Sequence, residues 1–208
     1  KLLKNTSAVY NTFHLLSEID EEGHITSYAY DSAGRKAVEQ KGETFTQYVY
    51  DSLGRLAITY EWIATDARVT KQTYDALNRV IEKTIEDIAG EVYLRELYAY
   101  DSFGNRSVTT TFTENGPAVS KASYTPQGKL SCEEDPLGNK TVYTYDFHFP
   151  YRGQFVQKIT RTDPLGHEDI TLLDADHNKL QCSRYDASAL IQQETYYYDQ
   201  CNRLISVT

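Results

Sequence analysis

One nine-residue stretch recurs along the chain, and it limits the possible folds more than any other feature. It is clearest as YVYDSLGRL at positions 48–56, and related copies lie at 28–35, 74–79, 98–106 and 198–204. An internal repeat at a spacing of a few tens of residues is typical of stacked units that share one continuous structure. The chain is therefore predicted to be a repeat array.

Each copy places one or two tyrosines before an aspartate, a Gly or Asn three residues after that aspartate, and in most copies a basic residue next. The motif residues are Tyr28, Tyr30, Asp31, Gly34 and Arg35; Tyr48, Tyr50, Asp51, Gly54 and Arg55; Tyr74, Asp75, Asn78 and Arg79; Tyr98, Tyr100, Asp101 and Gly104; and Tyr198, Asp199, Asn202 and Arg203.

The chemistry of the motif favours a β-hairpin. Tyr48 and Tyr50 share one face of a strand because side chains alternate with a period of two. Asp51 then turns the chain, with its carboxylate accepting hydrogen bonds from the backbone N–H groups that follow. The slot three residues later holds only Gly or Asn, which are the residues that tolerate a positive φ. Its occupants are Gly34, Gly54, Asn78, Gly104, Gly138, Gly166 and Asn202.

A second set of turn sequences alternates with the motif copies. It lies at 41–42, 65–66, 89–90, 115–116 and 135–138, and later turns are predicted at 149–150, 163–166, 177–178, 187–188 and 200–202. Turn sequences every 8 to 12 residues are typical of all-β proteins. The sequence predicts about eighteen strands in a long antiparallel meander of hairpins. A sheet of this size twists and curls, so we expect a curved, shell-like sheet.

Two segments also carry helix-forming residues, and the chain start carries a weakened motif. These segments are 67–72 and 81–96, and in the second we favour a strand, a turn and a strand over a helix, because Thr84 and Gly90 interrupt the helical spacing. Near the start, Asn11 takes the aspartate position and His14 the positive-φ position.

These residues resemble the YD-repeat, or RHS-repeat, family, which includes bacterial Rhs proteins, the C component of insecticidal toxin complexes and the teneurins of animals. The resemblance covers nearly the whole chain and is degenerate at Thr125, Asp146, Ala175 and Asp186. It implies a continuous β-ribbon wound into a hollow shell. Rhs proteins also carry a self-cleavage site that contains DPxG. The DPLG sequences at 135–138 and 163–166 are each followed by another strand, so we interpret both as ordinary turns.

The sequence argues against several other classes of protein. The net charge is −9 and the acidic residues are scattered, whereas nucleic-acid binding calls for a basic face. No apolar stretch is long enough to span a membrane. The repeated aspartates each have a role in a turn, and His177 with Cys182 is only a weak candidate for a base and nucleophile pair. The three cysteines are interpreted as small interior residues. We therefore expect no enzyme, no catalytic residue, no metal site and no cofactor.

Two functions remain open. The first is a structural one, in which residues 1–208 are a single repeat array within a larger hollow β-shell that encloses and helps to deliver a toxin polypeptide. Its partners are then the rest of the parent shell and the enclosed polypeptide. The second is a surface adhesion module that recognises carbohydrate or a cell-surface protein. The family resemblance implies a secreted or cell-surface location for both. Because the chain lacks Met and starts and stops within the strand pattern, we expect it to be part of a longer protein.

Overall fold

The chain is an all-β protein. A computed structural model describes residues 6–63, 65–199 and 201–208, with only the backbone of Ile63. These residues form eighteen strands and no helix, so none of them belongs to a helix long and apolar enough to cross a membrane. The predicted antiparallel meander and the predicted number of strands are confirmed.

The strands follow one another through short turns. They are β1 Ser7–Tyr10, β2 Leu15–Ile19, β3 Ile25–Tyr30, β4 Lys36–Lys41, β5 Thr44–Tyr50, β6 Leu56–Ile63, β7 Asp66–Tyr74, β8 Val80–Asp87, β9 Val92–Tyr100, β10 Arg106–Thr113, β11 Gly116–Tyr124, β12 Leu130–Glu134, β13 Lys140–Tyr151, β14 Gln154–Thr162, β15 Glu168–Leu173, β16 Lys179–Asp186, β17 Ala189–Tyr198 and β18 Leu204–Val207.

The chain divides into two compact units. The first comprises Lys1–Ala99 with Thr110–Ala118, and the second comprises Tyr100–Thr109 with Val119–Thr208. In the first unit the strands from β1 to β9 pair antiparallel in sequence order, from β1 with β2 to β8 with β9. In the second unit the strands from β11 to β18 pair in the same way. The segment 81–96 forms a strand, a turn and a strand, as predicted, and the segment 67–72 lies in β7.

A β-bulge marks the end of four of the hairpins that carry the motif. The register shifts between Val49 and Tyr50, so that Tyr50 lies opposite Leu56. The same shift occurs at Tyr30, Tyr74 and Tyr198. A type I turn that ends in a left-handed residue forms this kind of bulge and closes a hairpin.

Each unit has a thin core, because the described strands pack mainly against their neighbours in sequence. The buried apolar side chains are Ala67, Val69 and Ile85 in the first unit and Val156 and Leu172 in the second. No described side chain is less than 2% exposed. Each unit is therefore a single layer of sheet whose stability depends on contacts between adjacent strands.

Because successive turns of an antiparallel meander alternate between its two edges, the first unit has two different edges. Here an edge means the row of turns at one end of the strands, and not an outermost strand of the sheet. One edge, called the ladder edge, carries the turns at 11–14, 31–35, 51–55 and 75–79. The opposite edge carries the turns at 20–24, 42–43 and 87–91 together with the turn between β6 and β7.

One predicted turn is wrong. Pro150 lies within β13, opposite Phe155, and the chain reverses at Arg152 and Gly153 instead. Their φ angles of 49° and 80° provide the two left-handed residues that a tight two-residue hairpin turn requires. Asp146, a degenerate motif position, also lies within β13, where the register is irregular.

Candidate functional site: the repeated aspartate turn

The repeated aspartate organises a five-residue turn by itself, as Asp51 shows. Its Oδ1 accepts hydrogen bonds from the backbone N–H groups of Leu53 and Arg55, both at 2.9 Å. Its Oδ2 accepts one from Arg55 Nε at 2.7 Å. The Asp51 N–H also donates to the Arg55 carbonyl at 2.8 Å, and the Gly54 N–H donates to the Asp51 carbonyl at 3.0 Å. One carboxylate thus satisfies the groups that a sharp reversal would otherwise leave without partners.

The fifth residue of the turn supplies a side-chain donor to the aspartate. In the turns of Asp31, Asp51, Asp75 and Asp199 this donor is an arginine Nε. An asparagine Nδ2 replaces it beside Asp101, Asp135 and Asp174, and a histidine Nδ1 lies in this position beside Asp20 and Asp163. A side-chain donor at this position therefore need not carry a positive charge, and the Asp87 turn closes with Glu91 through backbone donors.

All seven Gly and Asn residues proposed for the slot have a positive φ, whereas His14, which was also proposed for it, does not. The seven φ angles run from 58° at Asn202 to 90° at Gly104. Three further turns use the same slot, through Gly23, Gly90 and Gly128, and His177 uses it with a φ of 64°. Histidine is an unusual occupant, which explains why the sequence pattern did not reveal the Asp174 turn.

On the ladder edge, the fifth residue of one turn stacks on the tyrosine of the next. The Arg35 guanidinium lies 4.4 Å from the centre of the Tyr50 ring, and Arg55 lies 4.7 Å from that of Tyr74. At the start of the row the His14 ring stacks on Tyr30 at 4.2 Å. Cation–π contacts of this kind link turns that are two strands apart.

The same tyrosines hold the backbone of the preceding turn. Tyr30, Tyr50 and Tyr74 donate their hydroxyl hydrogens to the carbonyls of Leu15, Lys36 and Leu56, at 2.9, 2.8 and 2.6 Å. Each of these carbonyls belongs to the residue just after the last residue of the preceding turn. Within the second unit, Tyr124 and Tyr145 bond the carbonyls of Arg106 and Leu130 in the same way. Ring and hydroxyl together couple each turn to the next one on its edge.

The tyrosines three residues before an aspartate contact carboxylates instead. Tyr28 donates to Glu18 at 2.7 Å, which raises the pKa of its hydroxyl to about 12. Tyr48 donates to Glu39 at 3.3 Å, and burial followed by the Glu39 charge raises its pKa. Tyr98 donates to Glu96 at 2.7 Å. The hydroxyls of Tyr28 and Tyr48 therefore remain neutral hydrogen-bond donors at physiological pH.

The turn lowers the pKa of its carboxyl group. For Asp31, Asp51, Asp75 and Asp199 the main cause is the backbone N–H of the fifth residue, which bonds the ionised form. For Asp101 the main cause is the Asn105 side chain. Because each folded-state pKa lies below the ordinary value of 3.8, the contribution to stability is complete above that pH and is lost as the pH falls through the folded-state pKa.

The remaining motif residues lie in or beside other turns of the array. Tyr100 comes just before the Asp101 turn. Tyr198 lies opposite Leu204 at the bulge before Asp199. Asn202 donates through Nδ2 to Asp176 at 3.1 Å, and Asn78 accepts from Arg55 Nη1 at 3.1 Å. The predicted turn at 200–202 includes Gln200, which lies outside the described residues.

Several sequence-based assignments need correction. His14 does not take a positive φ, because the Asn11 turn is one residue shorter than the aspartate turns. The Asn11 N–H donates to the His14 carbonyl at 2.9 Å. The turn assigned to Ala175 begins at Asp174, and Asp186 precedes a two-residue turn at Ala187 and Ser188. Thr125 does replace aspartate in a full turn, through its hydroxyl oxygen.

The sequence predicted turns at 20–23 and 89–90 on the opposite edge of the first unit, but it did not reveal that both are complete aspartate turns, headed by Asp20 and Asp87. Both have a glycine three residues later, but neither has a tyrosine before the aspartate. The spacing from Asp to Gly is therefore a better indicator of this turn than the Tyr-Asp pair.

The structure does not bring the weak catalytic candidates together. Cys182 lies opposite Thr171 in the sheet, with Sγ and Oγ1 3.8 Å apart, whereas His177 lies in the turn. Cys132 and Cys182 are half-buried and Cys201 is exposed, so Cys201 is not an interior residue. Across the described ranges, no three His, Cys, Asp or Glu side chains are grouped to hold a metal ion.

These features define a single-layer β-repeat protein built from aspartate turns. A family model described as Teneurin YD-shell matches residues 3–173. Because this match spans most of the sequence, the chain belongs to the Teneurin YD-shell family. The family assignment agrees with the predicted resemblance to YD repeats.

The chain is also similar to solved structures. In "Crystal Structure of TcdB2-TccC3-TEV" the similarity has a TM-score of 0.65 at 15% sequence identity, and it covers 97% of this chain and 13% of that chain. For "Crystal Structure of TcdB2-TccC3-Cdc42" the TM-score is 0.44 at 14% identity, over 93% of this chain and 13% of that one. The first similarity supports the fold alone. No curated protein sequence matches the chain.

A glycine exchange tests the contact between neighbouring turns. Gly54 has a φ of +81°, and a Cβ there would lie 3.0 Å from Arg35 Nη1. Gly23 has a φ of +87° with no atom within 4 Å of the same position, so it is the matched control. Each change to alanine is expected to cost about 1 to 2 kcal/mol for the left-handed backbone. We expect Gly54→Ala to lower the urea midpoint more than Gly23→Ala, because only the former displaces Arg35 from Tyr50. Equal effects would contradict the proposed coupling.

His167 makes one turn sensitive to pH. Its Nδ1 lies 2.8 Å from Asp163 Oδ2, and this hydrogen bond and charge raise the histidine pKa above its ordinary 6.5. The protonated form therefore stabilises the fold below about pH 6.5, and this contribution is lost as the pH rises through the folded-state pKa. In the His167→Asn variant, a neutral asparagine side chain, which other turns use as the donor at this position, replaces the histidine. We expect the difference in melting temperature between wild type and His167→Asn to change between pH 5.5 and 9.

The control for this measurement is His148→Asn, since the His148 ring contacts Phe155 and not a carboxylate. Its difference from wild type should vary less with pH than that of His167→Asn. A His167→Asn difference that is the same at every pH would show that the Asp163 contact does not depend on protonation.

Proposed function

We propose that residues 1–208 are one YD-repeat array that forms part of the wall of a hollow β-shell, and that this shell encloses a toxin polypeptide and helps to deliver it. The rest of the shell and the enclosed polypeptide are its partners, and the location is extracellular or at the cell surface. Membership of the YD-shell family supports the structural role. The proposed role involves no catalysis. The tyrosines, aspartates, glycines and basic residues of the motif hold the hairpins together.

The observation that carries this proposal is the unbroken pairing of consecutive strands in each unit. A wall of this kind satisfies its backbone groups within the sheet, so it needs no filled interior on either side. Neighbouring strands lie only about 4.8 Å apart, which leaves no gap through which a protease reaches a substrate. Containment follows from the continuity of the sheet and requires no tight binding of the enclosed chain.

Limited proteolysis of the full-length protein that carries this sequence tests containment, with the surviving segments identified by mass. We expect a segment outside the repeats to survive while the wall is intact. The double variant Asp51→Ala with Asp75→Ala removes two turn carboxylates, so we expect that segment to be digested faster. The matched control is Glu43→Ala with Glu114→Ala, which removes two exposed carboxylates that head no turn.

Survival of the repeats with no other segment protected would contradict containment. Protection that is equally strong in both double variants would contradict the role of the aspartate turns while leaving containment in place.

A second candidate function, recognition of a neutral sugar, has a specific observation in its favour. A hollow of about 400 Å³ in the first unit is lined by Arg68, Ile85, Asp87 and Tyr93, among others. Tyr93 is 65% exposed, and its hydroxyl donates to Asp87 at 3.3 Å. An exposed aromatic ring beside an arginine and carboxylates offers both a stacking surface and hydrogen-bond partners for hydroxyl groups.

Binding of the full-length protein to a panel of immobilised neutral glycans tests this candidate. We expect Tyr93→Ala to abolish the binding of any glycan that wild type retains. Tyr10→Ala is the matched control, since Tyr10 is also 65% exposed but lies in β1, away from the hollow. Absence of binding by wild type, or equal loss in both variants, would contradict a sugar site at Tyr93.

A further inference from the structure

The hairpin formed by β13 and β14 in the second unit extends beyond both of its neighbours. β12 pairs with β13 only at positions 140–142, and β15 pairs with β14 only at positions 157–162. β13 and β14 continue to pair with each other as far as Tyr151 and Gln154. Residues 147–156, here called the arm, therefore project past the neighbouring strands by roughly 15 Å.

The arm exists because an aspartate turn is missing at Asp146. Tyr145 and Asp146 match the start of the motif, but Phe149 occupies the position three residues later, where the turn needs Gly or Asn. Asp146 accepts the N–H of His148 at 2.9 Å within the strand instead. The chain therefore continues as a strand to the next turn.

This extension leaves one side of β13 open. Among the described residues β13 pairs only with β12 and β14, and its pairing with β12 ends at Val142. The side of residues 143–151 that faces away from β14 is here called the open side. Alternate residues of an antiparallel strand direct their N–H and C=O groups to such a side, where another extended chain matches their spacing. The open side is therefore suited to the addition of a strand.

A hollow of about 310 Å³ lies beside the open side. It is lined by Lys129 from the turn before β12 and by Tyr145 and Phe147 from β13, among others. Lys129 Nζ lies 5.2 Å from the centre of the Tyr145 ring and 5.3 Å from that of the Phe147 ring. A hollow of this size takes one large side chain of an added strand, and the ammonium group in its wall favours a carboxylate.

Three basic residues around the arm contact aromatic rings instead of carboxylates. Lys129, Arg152 and Lys158 each lie on a ring, at 5.0 to 5.2 Å from its centre. None of the three forms an ion pair with a carboxylate in the part of the chain that the structure describes. Positions 147–162 also contain no Asp or Glu, although the net charge of the chain is −9. The surroundings of the arm therefore favour an acidic partner.

Contacts on one face hold the arm in place. Tyr151 donates its hydroxyl hydrogen to Gln181 at 3.0 Å, and Val156 is only 3% exposed. Phe155, on the opposite face of the arm, is 73% exposed, and Phe147 at its base is 47% exposed. A strand that is already fixed loses little conformational entropy when another strand adds to it, and the exposed rings offer that strand apolar surface.

We propose that the open side of β13 binds an extended acidic segment of another polypeptide as an added strand. The backbone of β13 provides the hydrogen bonds, Lys129 contacts a carboxylate of the segment in the hollow, and Phe147 packs against an apolar side chain. This binding site is additional to the containment proposed above, and it does not depend on an enclosed polypeptide.

Fluorescence anisotropy of a labelled peptide with the full-length protein that carries this sequence tests strand addition. The probe is a synthetic peptide of about eight residues in which glutamate and valine alternate. One comparison peptide has lysine in place of glutamate, and another has the same sequence as the probe with every backbone amide N-methylated. We expect both to bind about tenfold more weakly, because the first is repelled by Lys129 and the second cannot donate hydrogen bonds to β13.

Two variants that each remove one positive charge locate the site on β13. We expect Lys129→Gln to weaken the binding of the acidic peptide about tenfold. Lys140→Gln is the matched control, because Lys140 lies at the other end of β13, opposite Glu134, and this variant should bind as wild type does.

Absence of binding of the acidic peptide by wild type, or equal binding of the N-methylated peptide, would overturn the proposal. Equal losses in Lys129→Gln and Lys140→Gln would overturn it as well. The proteolysis experiment on containment affects none of these outcomes, so the two proposals are tested independently.

Discussion

The fold depends on one interaction, the bonding of an aspartate carboxylate to the chain that follows it. At Asp51 two backbone N–H groups and one side-chain donor meet the two carboxylate oxygens within five residues. A sheet with only five buried apolar side chains among its described residues cannot rely on a core to set where its strands reverse. The turns set the reversals, and the bulge that each motif turn creates sets the register of the strands on either side.

Contacts between turns extend this local order along the ladder edge. The Arg35 guanidinium stacks on the Tyr50 ring, and the Tyr50 hydroxyl donates to the carbonyl of Lys36. One side chain thus contacts the last residue of the preceding turn and the residue that follows it. Such contacts join only neighbours, as in other repeat proteins whose stability is a sum of unit and interface contributions. Cooperativity between hairpins is then carried by tyrosine and arginine more than by buried aliphatic groups.

The sequence was sufficient to predict the strands and the turns that carry the motif, because Asp with Gly or Asn at a fixed spacing reports a backbone conformation directly. It was insufficient where another residue takes the same conformation. His177 has a φ of 64° and Arg152 one of 49°, and neither residue type indicates this. The contacts between turns, such as Arg55 on Tyr74, were also beyond prediction. They join residues about twenty positions apart whose proximity depends on the register of the intervening strands.

The alternation of the two edges has a consequence for how such arrays change in length. Adding or removing one whole hairpin keeps every later turn on its original edge. Exposed apolar residues of the turns, such as Leu53, then stay on the ladder edge, and acidic residues such as Glu22 and Glu91 stay on the opposite edge. Adding a single strand would exchange the edges for the rest of the array and place apolar side chains such as Leu53 among the acidic turns. Folded variants of this wall that differ in length should therefore differ by even numbers of strands. Insertions and deletions are then expected to add or remove whole repeats, each two strands wide.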